Sequence, residues 1–390
     1  MMAAAPARIL FLTDQLSFGG AERHLVALAG TLAARGHTVS VASLKEGGEL
    51  GPALACNGIH SVRCCRSRGG LDVAAIGRLA RIIDERNAQV VVATSQYSLM
   101  FGVLARMRAQ RRCALAFICH SMGVVQRGGA ARLRFLVYRQ FYGRADTVIF
   151  VSELQRRYFA AMGIVPRHSE VVHNGIDLHR FAAAAVAQQG VALRQECRFA
   201  AHELVIGMCA AFREEKRQVD MLEALARLRR QGVPARLLLA GDGPMRTRIE
   251  ACRDRLGLGG AVVLAGFQDD VRPAIAACDV MALTSHTETF PIATLEYMAM
   301  GKALVASDVG GLREQVDDGD NGLLYPAGDV SALAAALGRC AEPALRARLA
   351  GNALDTVHRR FGLERMVAHY EGLFGALAGA PAQAATGTHA

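Results

Sequence analysis

Short apolar runs alternate with longer segments of helical spacing along most of this chain, and that alternation limits the fold more than any other feature. Ile9–Leu12, Val39–Ser43, Val90–Thr94, Leu115–Cys119, Thr147–Val151 and Glu170–His173 read as strands in the first half. Val205–Ala210, Arg236–Ala240, Val262–Ala265, Val280–Leu283 and Ala303–Ser307 repeat the theme in the second. Between them, stretches such as Ala21–Arg35 and Leu71–Asn87 carry apolar residues at helical spacing. Strands that alternate with helices build parallel sheets covered on both faces. At 390 residues the chain exceeds one ordinary core. The expectation is an α/β protein of two doubly wound, Rossmann-like domains, over 1–180 and 195–360. Asn174–Glu203 reads as the change-over, a turn at NGID followed by a connector with a short helix. A last helix is expected over 361–376 and a disordered tail over 378–390. Ligands of open α/β sheets collect outside the carboxyl ends of the strands, so two such domains would face each other across a cleft that holds the site.

Composition removes several classes. Hydrophobic content of 52% with 21% charged residues is that of a globular chain. No apolar run reaches the roughly 18–20 residues of a membrane span, and MMAAAPARILFLTD lacks the charged head and cleavage site of a signal peptide. The ten cysteines show no C-x-x-C spacing, and Cys119, Cys209 and Cys278 lie in apolar runs, where a thiol behaves as a small hydrophobe. A reduced, cytoplasmic setting is expected. The net charge of +10 suits an acidic substrate or an anionic membrane surface, and no nucleic-acid module is recognisable. Basic clusters lie at Arg63–Arg68, Arg106–Arg112 and Arg132–Arg144; in the third, Phe135, Tyr138, Phe141 and Tyr142 read as core residues with arginine stems turned outward, a membrane-binding box being the alternative. Only three basic residues are lysines: Lys45, Lys216 and Lys302.

The segment SHTETFPIATLEYMAMGKALVAS, residues 285–307, carries the most chemistry. A strand ends in small polar residues, Glu288 and Thr289 follow, and a helix is expected to open at Pro291, where a missing N–H is harmless. The amides of Phe290, Ile292 and Ala293 would then point out of a helix N-terminus, which is an anion site. Glu288 in the approach loop and Glu296 inside the helix bracket it. A phosphate with a hydroxyl-rich group on either side fits that arrangement.

Other candidates stand at strand ends. Gly19 and Gly20 would let the backbone approach a ligand before the helix at Ala21, or simply form a tight turn. His120 ends the strand of FICHSMG, where it would face the cleft or cap a local turn. Arg213 and Lys216 lie where IGMCAAF meets its helix. Two fixed cations there would neutralise a diphosphate; a solvated helix start is the alternative. Asp242 and Gly243 belong to a GDGP turn, and Gly266 and Phe267 follow VVLAGF. Gly310 and Gly311 open a further helix. Asp318 and Asp320 resemble a metal pair, but turn chemistry in DGDNG explains both. No G-x-G-x-x-G follows the first strand, which speaks against a nicotinamide-dependent dehydrogenase.

Taken in order, GGAE, NGID, the Arg213/Lys216 junction, GDGP and the paired glutamates resemble the retaining glycosyltransferases of family 4, which have the GT-B fold. The resemblance runs from about Ile9 to Tyr370. It implies a sugar transfer from a nucleotide-diphosphate sugar, UDP rather than GDP, to a glycan or lipid-linked acceptor on the side of the first domain. Such chemistry serves cell-envelope or exopolysaccharide synthesis. Lys216, Arg213 and the helix amides would hold the leaving diphosphate, Glu288 the sugar hydroxyls and Glu296 the ribose. His120 would contact the transferred sugar, and Gly19–Gly20 would lie against the diphosphate. Asp242, Gly243 and Phe267 would line the nucleotide pocket. The last helix would cross back to the first domain. No metal and no cofactor is expected, and the enzyme would work in the cytoplasm, on the inner face of the membrane. One departure is plain: many relatives carry an arginine five residues before the lysine, where this chain has Ala211, and Arg213 is the candidate substitute. A nucleotide-sugar epimerase or hydrolase, or a non-catalytic nucleotide-sugar binder, would use the same pocket.

Overall fold

The computed structural model describes residues 5–379, apart from 17–18, 49, 60–61, 68–69 and 123–128. The chain divides into two compact units, residues 1–173 with 365–390, and residues 174–364.

In the first unit, β1 (Arg8–Thr13), β2 (Thr38–Ser43), β3 (Val62–Cys64), β4 (Val90–Ala93), β5 (Ala114–Cys119), β6 (Thr147–Phe150) and β7 (Ser169–Val171) alternate with helices. The helices are α1 (Gly20–Ala34), α2 (Gly51–Cys56), α3 (Val73–Glu85), α4 (Gln96–Arg106), α5 (Gly129–Tyr142) and α6 (Glu153–Ala161). The strands form one seven-stranded parallel sheet in the order β3-β2-β1-β4-β5-β6-β7. Every residue of β4 and β6 is buried, which is why these strands read as unbroken apolar runs.

The second unit runs α7 (Ala187–Glu196), β8 (Leu204–Cys209), α8 (Gln218–Arg230), β9 (Ala235–Ala240), α9 (Arg246–Arg255), β10 (Val262–Gly266), α10 (Arg272–Ala277), β11 (Val280–Leu283) and α11 (Ile292–Ala299). It continues with β12 (Ala303–Ser307), α12 (Leu312–Gln315), β13 (Leu323–Tyr325), α13 (Val330–Arg339) and α14 (Pro343–Arg360). Its six-stranded parallel sheet has the order β10-β9-β8-β11-β12-β13. In both sheets the order of strand addition reverses once, between β1 and β4 and between β8 and β11. Those are the points where an open sheet leaves a crevice at its carboxyl edge.

The units divide at His173/Asn174, where the expected change-over begins, and residues 174–203 belong to the second unit. There α7 lies so close to α10 that a Cβ on Gly190 would come within 2.5 Å of the Ala276 Cβ. The final helix, α15 (Leu363–Gly379), enters the first unit at Arg365. Phe374 packs edge-on against Phe11 at 6.3 Å, and Glu371 pairs with Arg35 at 2.6 Å and with His37 at 3.0 Å. From residue 380 onward the expected tail lies outside the described residues. Tyr142 is buried in the first core, with Tyr138 and Phe141 packed against it, whereas Leu136 and Val137 are exposed. The side chain of Phe135 is outside the described set. All ten cysteines are free, and burial pushes the Cys119 and Cys278 thiols up to about 12. Among the described residues no helix is long and apolar enough to cross a membrane.

Candidate functional site

The crevice of the second unit is built by the loops that leave β8 and β11. After β8 the chain passes through Phe212 and Arg213 into a short 3-10 turn, Glu214–Lys216, and Arg217 takes a left-handed conformation (φ 55°) before α8 begins. After β11, Thr284 and Ser285 are fully buried. The two loops are stitched together: Thr284 Oγ1 donates to the Lys216 carbonyl at 2.8 Å, and the His286 amide donates to the Glu215 carbonyl at 2.8 Å. That stitching delivers Lys216 to Glu288. The ammonium donates to Glu288 Oε1 at 2.6 Å, and Ser285 Oγ donates to the same oxygen at 2.6 Å. Among the described residues Oε2 of Glu288 accepts from none. The pair is charge-assisted and mostly shielded from water, with side chains 23% and 10% exposed. Arg213 stands exposed beside it and meets Lys216 only through backbone, its carbonyl accepting from the Lys216 amide at 3.1 Å.

A third loop, after β12, clamps Glu288 from behind. Ser307 Oγ donates to the Ser285 carbonyl at 2.6 Å, and the Gly311 amide donates to the Thr289 carbonyl at 3.0 Å. Gly310 has φ +54°, and a Cβ there would lie 1.6 Å from the Glu288 carbonyl oxygen. Gly310 and Gly311 therefore do more than open α12: they let one loop press on the backbone of the other.

The helix start differs from the sequence expectation. Pro291 is the N-cap of α11, with φ −66° and an extended ψ of 133°, and Ile292 is the first helical residue. The Pro291 carbonyl accepts from Thr294 Oγ1 at 2.9 Å and from Gln315 Nε2 at 3.0 Å. The orphan amides of the first turn are thus those of Ile292, Ala293 and Thr294, while that of Phe290 belongs to the approach loop. Phe290 is buried against Phe361, ring centroids 5.6 Å apart, and its carbonyl accepts from Asn174 Nδ2 at 2.7 Å. NGID thus does more than turn the chain, because its asparagine pins the residue before Pro291. Thr289 is half-buried, and Glu296 is buried inside α11, 5% exposed.

The GDGP turn is laid along the loop after β8. The Phe212 amide donates to the Asp242 carbonyl at 2.9 Å, the Met245 amide to the Phe212 carbonyl at 3.0 Å, and the Gly241 amide to the Gly266 carbonyl at 2.7 Å. A Cβ on Gly243 would meet the Phe212 carbonyl at 2.6 Å. The Asp242 carboxylate is occupied locally, by the Gly243 amide at 2.7 Å and Arg246 at 3.1 Å. Phe267, beyond the end of β10, exposes half of its ring. The Asp318 and Asp320 carboxylates serve local structure, accepting from the Leu324 amide at 2.8 Å and from Asn352 Nδ2 at 2.9 Å.

In the first unit, Gly19 is the extended N-cap of α1 (φ −159°) and Gly20 its first residue. At the β1/β4 crevice Ser95 caps α4, its Oγ accepting from the Ser98 amide at 2.9 Å and donating to Asp14 Oδ1 at 2.5 Å. Burial raises the pKa of Asp14. His120 follows β5 directly and is half-buried, and desolvation pulls its pKa down to about 4, so the ring is neutral near pH 7. Sequence reasoning missed His24. It sits edge-on to His120, with ring centroids 4.6 Å apart. The available signal was a histidine on the inward stripe of α1, shared with Leu25, Leu28 and Leu32.

Two family models match the two units. The model described as Glycosyltransferase Family 4 matches residues 18–180, and that described as Glycosyl transferases group 1 matches residues 203–342. The N-acetyl-alpha-D-glucosaminyl L-malate synthase of Bacillus anthracis is 26% identical over 307 residues, 78% of this chain and 78% of the relative. The GDP-mannose-dependent alpha-(1-6)-phosphatidylinositol monomannoside mannosyltransferase of Mycolicibacterium smegmatis is 28% identical over 333 residues, 82% of this chain and 85% of that protein. Among solved structures, Anabaena HepE in complex with UDP superposes with a TM-score of 0.83 at 26% identity, covering 95% of this chain and all (100%) of that one. A complex of the same protein with UDP-glucose matches equally well, with a TM-score of 0.83. The two matched regions take in the glycine loop, His120, the Lys216–Glu288 pair and α11, and the chain belongs to the glycosyltransferases of family 4, the glycosyl transferases group 1.

Proposed function

We propose that this protein transfers a sugar, with retention of anomeric configuration, from a UDP-sugar to a glycan or lipid-linked acceptor in cell-envelope or exopolysaccharide synthesis. The observation that carries the reading is the meeting of Lys216 and Glu288 beside the first turn of α11. A leaving diphosphate needs fixed positive charge. Lys216 supplies an ammonium that Glu288 already orients, and the amides of Ile292 and Ala293 supply the partial charge of a helix start. Arg213, exposed in the same loop, would add a second cation as the substitute for the arginine absent at Ala211. Glu288, through Oε2, accepts from hydroxyls of the transferred sugar, and Glu296 accepts from the ribose. His120 offers the sugar a neutral imidazole. The leaving phosphate oxygen takes the acceptor's proton as the sugar–phosphate bond breaks and the new glycosidic bond forms, so no separate general base is required. With these cations in place the reading needs no metal. The complexes of HepE with UDP and UDP-glucose favour uridine, although the mycobacterial relative is named for GDP-mannose. The arginines of the first unit and the absence of a spanning helix among the described residues suit work in the cytoplasm at an anionic membrane surface.

The test is a thermal-shift screen of UDP- and GDP-sugars, followed by mass analysis of products with lipid-linked and oligosaccharide acceptors. A UDP-sugar should stabilise the protein, and an acceptor should gain one sugar in α linkage from an α-linked donor. Donor consumption that is independent of acceptor, or inversion of the anomeric centre, would overturn the proposal.

A further inference from the structure

The positive charge of this chain is concentrated in one segment. From Arg86 to Ala145 it carries ten arginines and neither aspartate nor glutamate, whereas the rest of the chain balances 35 basic against 35 acidic residues. That segment accounts for the whole net charge of +10. It runs through β4, α4, β5 and α5, and α3, α4 and α5 share one core against the first sheet. Outside residues 123–135, whose side chains are not described, Arg108, Arg111, Arg139 and Arg144 are exposed.

The outer side of the same helical layer is where apolar side chains come to the surface. Five of the nine large apolar side chains exposed among the described residues lie there: Leu71 and Val73 at the start of α3, Met107 after α4, and Leu136 and Val137 in α5. Met107 is 75% exposed and the α5 pair 50% and 48%. Hydrogen bonds join these positions. Arg106 Nη2 donates to the Arg144 carbonyl at 2.7 Å and Arg108 Nη1 to the Val73 carbonyl at 3.4 Å, so Met107 stands between the end of α5 and the start of α3. The aromatic residues of α5 take no part, because Tyr142 is buried and Tyr138 and Phe141 pack on the core. The face they leave presents Leu136, Gln140 and Arg144 at four-residue spacing, with Val137 and Arg139 on either side. Two nearby carboxylates are turned to the protein: Asp146 accepts from Arg106 at 2.6 Å and Asp84 from the Arg111 amide at 2.9 Å.

Scattered exposed hydrophobics need no explanation, but a joined set bordered by charges of one sign marks a contact surface. Arginines without acidic neighbours attract an anionic partner, and each guanidinium can take a phosphate in a two-pronged bond. Aliphatic side chains between them suit a partner that is anionic at its surface and hydrocarbon beneath. That describes a lipid leaflet and not a nucleic acid.

We propose that the outer side of the α3–α4–α5 layer docks the first unit on an anionic lipid bilayer, with Met107, Leu136 and Val137 entering the headgroup region and Arg108, Arg139 and Arg144 pairing with lipid phosphates. The proposal rests on the reading of this protein as a sugar transferase and narrows its acceptor to one presented by a membrane.

Sedimentation of the full chain with vesicles tests the docking surface without donor or acceptor. Vesicles of phosphatidylcholine with about one-third phosphatidylglycerol should carry the wild-type protein down, vesicles of phosphatidylcholine alone should not, and salt above about 0.5 M should release most of it. Arg139→Gln/Arg144→Gln and Leu136→Gln/Val137→Gln change exposed side chains only, so both should melt with the wild type. Each should bind the anionic vesicles about tenfold more weakly. A wild type that ignores anionic vesicles would overturn the proposal. So would a loss confined to the arginine variant, which is the behaviour of a polyanion with no hydrocarbon layer. A dimer in light scattering that Leu136→Gln/Val137→Gln dissociates would give the face to a second copy instead. No sugar is transferred in the assay, so its failure would leave the transferase reading standing, and an inactive protein that still bound vesicles would leave the docking surface standing.

Discussion

The carboxyl edges of the two sheets handle polar groups in opposite ways. In the second unit the informative side chains are charged and paired: Lys216 meets Glu288, Ser285 steadies the same oxygen, and backbone bonds tie three loops around them. In the first unit they are neutral rings, with buried nitrogens that bond to nothing described. Ionic groups keep their charge away from water only when a partner offsets desolvation, so the paired edge suits a ligand whose own charge develops during reaction. Uncharged imidazoles exert little field at a distance but are directional at contact, which suits hydroxyls. On the proposed reading, the paired edge would take the diphosphate and the neutral edge an uncharged part of the reactants.

The sharpest way to break this comparison is to remove charge from the second edge. Lys216→Met and Glu288→Gln should each lower kcat by about 10²–10³, the usual effect of deleting one group that stabilises transition-state charge. Steady-state kinetics at saturating donor checks this, and circular dichroism should show both variants folded. If either variant lost less than about tenfold in kcat, the assignment of charge handling to the second unit would be wrong.

Glycines give a finer version of the same contrast. Gly310 has φ +54° and leaves no room for a Cβ, which would sit 1.6 Å from the Glu288 carbonyl oxygen, whereas Gly19 is extended and a Cβ there would meet only the flexible end of Glu22. Gly310→Ala should therefore shift the loop that presents Glu288, lowering kcat about 100-fold. Left-handed backbone at a non-glycine residue adds roughly 1–3 kcal/mol of destabilisation. Gly19→Ala should cost less than tenfold in kcat/KM. Parallel assays with urea unfolding decide the matter; equal losses at the two glycines would show that the clamp on Glu288 is not special.

Much of this architecture could be read before folding, and the failures have physical causes. Parallel strands buried on both faces are necessarily apolar runs, so β1, β4, β5, β8 and β11 stood out. The edge strands β3 and β13 span three residues each, too short to set a period, and neither was expected. Glu288 and Lys216 were legible because a carboxylate and a scarce lysine stood at strand ends. Asn174, Gly310 and His24 act through contacts with residues 116, 22 and 96 positions away, and no local pattern announces such a partner. Pro291 was placed one position too far into its helix because its φ of −66° suits both roles, and only its extended ψ of 133° separates them.

The smallest expected effect concerns how α15 is held in the first unit, and it shows that the unit is not averse to charge away from its crevice. The Ala7 amide donates to His37 Nδ1 at 3.1 Å, so the ring proton of a neutral His37 sits on Nε2 and is donated to Glu371 at 3.0 Å; Arg35 adds its guanidinium at 2.6 Å. The His37 hydrogen bond, with Arg35 behind it, holds the Glu371 carboxyl below its ordinary value of 4.5. A depressed folded pKa contributes stability that is complete above the unfolded value and disappears as pH falls through the folded one. Glu371→Gln should therefore be less stable than wild type by about 1 kcal/mol at pH 7, and the gap should narrow below about pH 4.5. Urea unfolding at pH 7 and pH 4 measures both terms, while kcat should stay at the wild-type level. A gap that stayed constant down to pH 4 would mean that Glu371 contributes through packing instead of charge, and would remove the contrast between this ion-paired anchor and the neutral edge-on contact of Tyr370, one residue away, with His24.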